Sequence, residues 1–119
     1  MARDEIARKV ELGWLAAFYG GLLTDKEREA VRLHCDEDMS LGEIAAATGV
    51  SRQGVHETIT RAESKLTGME EKLRLADRFR RVEDGLTRCR EALRAGRLSE
   101  CEQELDELIR LEQEETNGL

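Results

Sequence analysis

Apolar residues recur along this chain at steps of three and four, and each run ends at a local stop signal. From Asp4 to Tyr19, Ile6, Val10, Trp14, Ala17 and Phe18 keep that period until Gly20-Gly21 interrupts it. The spacing predicts an amphipathic helix with these residues inward. Thr24 stands three residues before Glu27, a capping box in which hydroxyl and carboxylate each take an otherwise orphaned backbone N–H. It predicts a second helix to about Cys35, with Ala30, Val31 and His34 or Cys35 inward. Asp36-Glu37-Asp38 then reads as a solvated acidic loop, because the residue spacing of a calcium loop is absent.

Two short helical patterns meet at Thr48-Gly49-Val50. Ser40 precedes Glu43 by three, a second capping box, and Ile44 with Ala45 makes a small apolar face. Gly49 stands where the chain must reverse, and glycine takes a positive φ there without a steric penalty. Ser51 is the next cap candidate. Beyond it Val55, Ile59, Ala62 and Leu66 form one stripe of a helix, while Arg52, Gln53, His56, Thr60 and Arg61 lie elsewhere on its surface. Two short helices around a glycine turn predict a helix-turn-helix over residues 40–66. A helical hairpin inside any small bundle uses the same signals, so the pattern alone leaves a purely structural reading open beside the DNA-reading one.

After Leu66, Thr67-Gly68 reads as a kink or a fresh start, since Thr67 precedes Glu70 by three. Met69, Leu73, Ala76, Phe79, Val82, Leu86, Cys89 and Leu93 then predict one long amphipathic helix ending at Ala95-Gly96-Arg97. Ser99 with Glu102 predicts the cap of a last helix whose stripe is Leu98, Cys101, Leu105, Leu108 and Leu111 or Ile109. So short a link predicts an antiparallel hairpin. The chain is thus expected to be all-α: a helix-turn-helix domain over residues 1–67 and a C-terminal helical hairpin extension over 68–119, the latter for dimerisation or partner binding.

Composition narrows the chemistry. The 119 residues contain no proline and 3 % aromatic residues, so the core must come mainly from Leu, Ile, Val and Ala. Neither a signal peptide nor a membrane span is visible, which leads us to expect a cytoplasmic protein. Cys35, Cys89 and Cys101 lack the spacing of zinc ligands, and Cys89 and Cys101, which fall on apolar stripes, read as small buried hydrophobes rather than ligands or redox thiols. No phosphate loop, paired metal ligands or nucleophile beside a base can be found, so neither a metal, a cofactor nor an enzymatic activity is expected. The net charge of −7 argues against a strongly basic nucleic-acid binder. Its distribution matters more: residues 1–97 hold 18 Lys/Arg against 18 Asp/Glu, whereas 98–119 hold one Arg against eight Asp/Glu. Residues 72–97 carry nine Lys/Arg against four Asp/Glu, so the basic helix can either follow nucleic-acid phosphates or be neutralised by its acidic neighbour. We favour neutralisation, within one chain or across a dimer.

The run from Phe18 to Leu66, continuing through Met69-Glu70-Glu71-Lys72-Leu73, resembles the YlxM family of small bacterial helix-turn-helix proteins. The matching residues include Tyr19-Gly20, Leu22-Leu23-Thr24, Ser40-Leu41-Gly42-Glu43-Ile44-Ala45 and Ser51-Arg52-Gln53, then Val55-His56 and Arg61-Ala62-Glu63. The helix-turn-helix is also similar to the promoter-reading C-terminal domain of sigma factors, although the chain is far too short to be a complete one. The resemblance implies an all-helical homodimer whose gene lies beside that of the signal recognition particle GTPase, with an accessory or regulatory role in protein targeting.

Two functions follow as expectations. In the first, the helix from Ser51 reads DNA in the major groove: Arg52 on guanine, Gln53 on adenine, His56 and Thr60 one turn further, and Arg61 and Lys65 on phosphates. Weak affinity is expected, because residues 40–66 hold three Lys/Arg and three Asp/Glu. In the second, the protein is an accessory factor of the targeting GTPase or its RNA with no specific DNA target. Its contact surface would then include Arg74, Arg78, Arg80 and Arg81.

Overall fold

The helices begin and end where side chains can take the backbone groups that a helix terminus leaves unpaired. In the computed structural model, which describes residues 2–117, six α-helices follow one another: α1 (Ala2–Tyr19), α2 (Asp25–Cys35), α3 (Leu41–Thr48), α4 (Arg52–Leu73), α5 (Leu75–Arg94) and α6 (Leu98–Asn117). A 3-10 turn, Gly20–Leu22, links α1 to α2. Among the described residues there is no strand. Both predicted capping boxes are formed: Thr24 with Glu27 opens α2, and Ser40 with Glu43 opens α3. Gly49 and Gly96, each at φ +75°, close α3 and α5 in the left-handed conformation. After α5, the Arg97 N–H reaches back to the Ala92 carbonyl at 2.8 Å, the bond that ties off a helix end at such a glycine.

The chain divides into two compact units, Met1–Ala76 and Asp77–Leu119. In the first, α4 packs against α1, α2 and α3. Its stripe Val55, Ile59, Ala62 and Leu66 is buried as expected, against Leu12, Leu15, Tyr19, Leu23, Ala30, Val31 and Ile44. The stripe predicted for α1 needs correction. Ile6 and Val10 are 61 % and 67 % exposed, and Ala17 is exposed too; Leu12, Leu15 and Tyr19 supply the buried face, with Trp14 and Phe18 half-buried. Two apolar stripes coexist on that helix, and only packing selects between them.

The predicted long helix is also corrected. α4 continues through Thr67 and Gly68 to Leu73, and the break falls at Arg74, which adopts φ +54°. A non-glycine residue there carries a strain of about 1–2 kcal/mol, so other contacts must hold it. The Tyr19 hydroxyl accepts the Leu75 N–H at 3.0 Å and donates to Glu70 Oε1 at 2.6 Å, and Glu70 Oε1 also accepts the Ala76 N–H at 3.1 Å. Thus Glu70 does not cap a helix with Thr67, as its spacing suggested; with Tyr19 it satisfies the first turn of α5. Burial, and then the hydrogen bond to Glu70, raise the pKa of the Tyr19 phenol and keep it a donor.

Within the second unit, Arg78 pairs with Glu112, Arg88 Nε lies 3.1 Å from Glu104, and Cys89 meets Cys101. Positions rise on α5 as they fall on α6, so the two helices form the expected antiparallel hairpin. Its buried residues include Gly85, Ala92, Cys101 and Leu111, with Val82, Cys89 and Leu108 half-buried. Leu98, Leu105 and Ile109, predicted on the inner stripe of α6, are exposed, as are Leu86 and Leu93 of α5. Ser99 lies inside the first turn of α6, one residue past its start. Close approach depends on Gly85: a Cβ there would stand 2.7 Å from Leu108 Cδ2 and 3.1 Å from its Cγ. Gly85→Val is therefore expected to force Leu108 off α5 and destabilise the hairpin by about 1–3 kcal/mol. Hydrogen exchange should show faster amide exchange in α5 and α6 and unchanged exchange in α2 to α4.

Candidate nucleic-acid interface

Ser51 fixes the start of α4. At φ −67° and ψ 155° it is extended, and its hydroxyl accepts the Gly54 N–H at 3.0 Å. The cap places Arg52 and Gln53 in the first turn, both exposed, while Val55 two positions further is buried. The apolar stripe faces away from Gln53, and Arg52 is exposed as the first residue of α4, so both side chains stand at the start of the helix. Gln53 Nε2 donates to Glu57 Oε1 at 3.5 Å, a long bond that a nucleic-acid base can replace.

His56 and Thr60 are exposed but stand in different surroundings. Both line a cavity of about 450 Å³ together with Ile6, Lys9 and His34, so the N-terminal half of α1 runs beside this part of α4. Arg8 of α1 pairs with Glu63 of α4 at 3.2 Å, and Lys9 pairs with Asp38 in the acidic loop. That loop is accordingly an ion-pair partner as well as a linker, and the lysine draws the Asp38 carboxyl below its ordinary pKa.

Arg61 and Lys65 converge on one carboxylate. Glu27, whose side chain is only 4 % exposed, receives Lys65 Nζ at 2.8 Å and lies 3.8 Å from Arg61 Nε. It also accepts the Thr24 N–H at 2.9 Å. The hydrogen bond from Lys65, and then that from Thr24, hold the Glu27 carboxyl below its ordinary pKa despite burial. Sequence reading identified Glu27 as a capping residue and missed this second role. Its partner on α4 lies 38 positions away, and no local spacing encodes that contact.

Of the basic residues expected to meet a partner, Arg74 is exposed at the α4–α5 junction, Arg78 is half-buried and paired with Glu112, and Arg80 and Arg81 are exposed. Carboxylates of α6 therefore neutralise part of the positive charge of α5, in agreement with the favoured reading of the charge pattern. Among the described residues no group of three or more His, Cys, Asp or Glu is placed to hold a metal, and no helix is long and apolar enough to cross a membrane.

Comparison with known proteins identifies the family of the chain. Residues 6–108 match the family described as "Putative helix-turn-helix protein, YlxM / p13 like". A UPF0122 protein of Thermoanaerobacter sp. (strain X514) is 41 % identical over 92 residues, covering 77 % of this chain and 79 % of the relative. Another, from Shouchella clausii, is 35 % identical over 106 residues, 88 % of this chain and 97 % of the relative. A third, from Halalkalibacterium halodurans, is 40 % identical over 86 residues, 72 % and 79 % of the respective chains. The matched span runs from within α1 through the capped α3–α4 pair into α6, and on that basis the chain belongs to the YlxM / p13-like helix-turn-helix family, UPF0122.

Proposed function

We propose that this chain is a cytoplasmic DNA-binding regulatory protein of the signal recognition particle pathway, with α4 reading the major groove. The observation that carries this reading is the capped, exposed start of α4. Arg52 there can pair with guanine O6 and N7, and Gln53 with adenine N6 and N7, each contributing about 1–3 kcal/mol of discrimination. His56 and Thr60 would extend the contact where α1 leaves them open. Arg61 and Lys65 would reach phosphates with the charge that Glu27 leaves to them. Similarity of the motif to the sigma-factor promoter-reading domain supports the same docking.

The phosphate contribution is small, because residues 40–66 are neutral and two of their three cations already face Glu27. Affinity then requires two reading heads, which a homodimer supplies by making the second contact intramolecular. Exposed Leu86, Leu93, Leu98, Leu105 and Ile109 on the hairpin are the apolar surface such an association would cover.

A second reading, an accessory factor that binds the targeting GTPase or its RNA without a specific DNA site, draws on the same hairpin. Arg74, Arg78, Arg80 and Arg81 would be its contact residues. Titration of the protein against a labelled random DNA pool, and against the signal recognition particle RNA–GTPase complex, separates the two at two salt concentrations. On the first reading Arg52→Ala with Gln53→Ala reduces sequence enrichment at least tenfold, from two contacts of about 1–3 kcal/mol each. The same variant keeps any particle binding. Particle binding without DNA enrichment, lost when Arg78, Arg80 and Arg81 become Gln, would replace the first reading by the second.

A further inference from the structure

The two cysteines of the hairpin face each other. Cys89 Sγ on α5 lies 3.0 Å from Cys101 Sγ on α6, the residues being 12 positions apart across the turn. A disulfide needs about 2.05 Å, so closure asks each sulfur to move by about half an ångström, within reach of a small side-chain rotation. Cys101 is 8 % exposed and Cys89 is half-buried, so a reagent from solution meets Cys89 first. Cys35, in the other unit, is instead directed to the Lys9 carbonyl at 3.6 Å.

We propose that Cys89 and Cys101 are a reversible dithiol–disulfide site, oxidised by a small-molecule disulfide and stapling α5 to α6. The Cys89 thiolate attacks one sulfur of the small disulfide, forming a mixed disulfide and releasing one small thiolate. The Cys101 thiolate then attacks the Cys89 sulfur and expels the second. Two electrons pass from the protein to the small disulfide, and the two thiol protons end on the two released thiols. The hydrogen bond to Cys101, and then burial, raise the pKa of Cys89, so the exchange is slow at neutral pH and is best measured at equilibrium.

The staple matters because this hairpin has few buried side chains. Apart from Cys101 itself, the buried residues of the second unit described here are Gly85, Ala92 and Leu111. A cross-link closing a loop of this size restricts the open chain enough to lower the open population on the order of 100-fold. It would hold the outer leucines of the hairpin in one register.

The test uses the full chain carrying Cys35→Ser, equilibrated in glutathione buffers from fully reduced to strongly oxidised. Intact mass is expected to fall by two hydrogens with no glutathione retained, and the protein should run as a monomer on a non-reducing gel. Amide exchange in α5 and α6 should slow on the order of 100-fold. Cys89→Ser and Cys101→Ser, each checked for helical content by circular dichroism, should both lose the two-hydrogen change. Cys101→Ser should instead carry a glutathione adduct on Cys89, whereas the buried Cys101 left by Cys89→Ser should stay a free thiol. Thiols that persist in the most oxidised buffer, two separate glutathione adducts, disulfide-linked dimers, or unchanged exchange in the oxidised form would each overturn the assignment.

Discussion

Leu66→Ala is expected to lower the unfolding free energy of the helix-turn-helix unit by about 3 kcal/mol, within the range for a large buried leucine. Leu66 is 0 % exposed, like Ala62 one turn before it, and it lies in the core that α1, α2 and α3 share with α4. The loss combines the transfer of the missing methyl groups with the cavity they leave, and a side chain so enclosed lets little of that cavity collapse. Against a total stability of about 5–15 kcal/mol for a domain, the change is large. Urea unfolding should show a lower midpoint at unchanged slope. Ser64→Ala, on the exposed side of the same helix, should stay within about 0.5 kcal/mol of the parent. Equal effects of the two changes would mean that α4 is not the packing axis. Under the DNA-binding reading the result also bears on function, because the same buried stripe positions the helix that carries Arg52 and Gln53.

Glu27→Ala should be nearly as damaging, at about 2 kcal/mol, since it removes half of a capping box and leaves the Thr24 N–H and Lys65 without their acceptor. The figure is kept below that of a fully buried pair because the Lys65 side chain is 44 % exposed and stays partly hydrated. Glu27→Gln retains an oxygen for Thr24 and isolates the charge. The sign of its pH dependence follows from the lowered pKa. The unfolded chain binds the proton at higher pH than the folded one, so the charged carboxylate stabilises the fold above the unfolded pKa. That stabilisation is lost as pH falls through the folded value. The gap between the parent and Glu27→Gln should therefore be full near neutral pH and close under acid conditions, in urea midpoints measured down the pH scale. A gap that grows with acidification would mean that Glu27 is not held as a carboxylate. Under the DNA-binding reading the same variant also frees Arg61 and Lys65, so non-specific DNA affinity and its salt slope should both rise.

The candidate surface was legible in proportion to how local its determinants are. Ser51, Arg52 and Gln53 could be placed because a cap and the first turn after it are neighbours in sequence, and their exposure follows from their place at the helix start. His56 and Thr60 belong to the same helix, yet their surroundings depend on Ile6 and Lys9 of α1, some fifty positions earlier. The basic character of α5 was visible as a count, but which arginines stand beside a carboxylate depends on the register with α6, where Arg78 meets Glu112 and Arg88 meets Glu104.

The all-helical class, the starts of α2, α3 and α4 and the glycine turn between α3 and α4 could all be read from the order of residues alone. Each of those rests on hydrogen bonds or side-chain periods that span only one or two helical turns. Which of two apolar stripes on α1 turns inward was settled by packing, since both satisfy the same period. Packing also placed the break at Arg74, where Tyr19 must arrive from 56 positions away to take the Leu75 N–H. The pairing of Glu27 with Lys65 and of Cys89 with Cys101 has the same origin. Contacts between distant residues are set by how the helices pack, and no spacing along one helix carries that information.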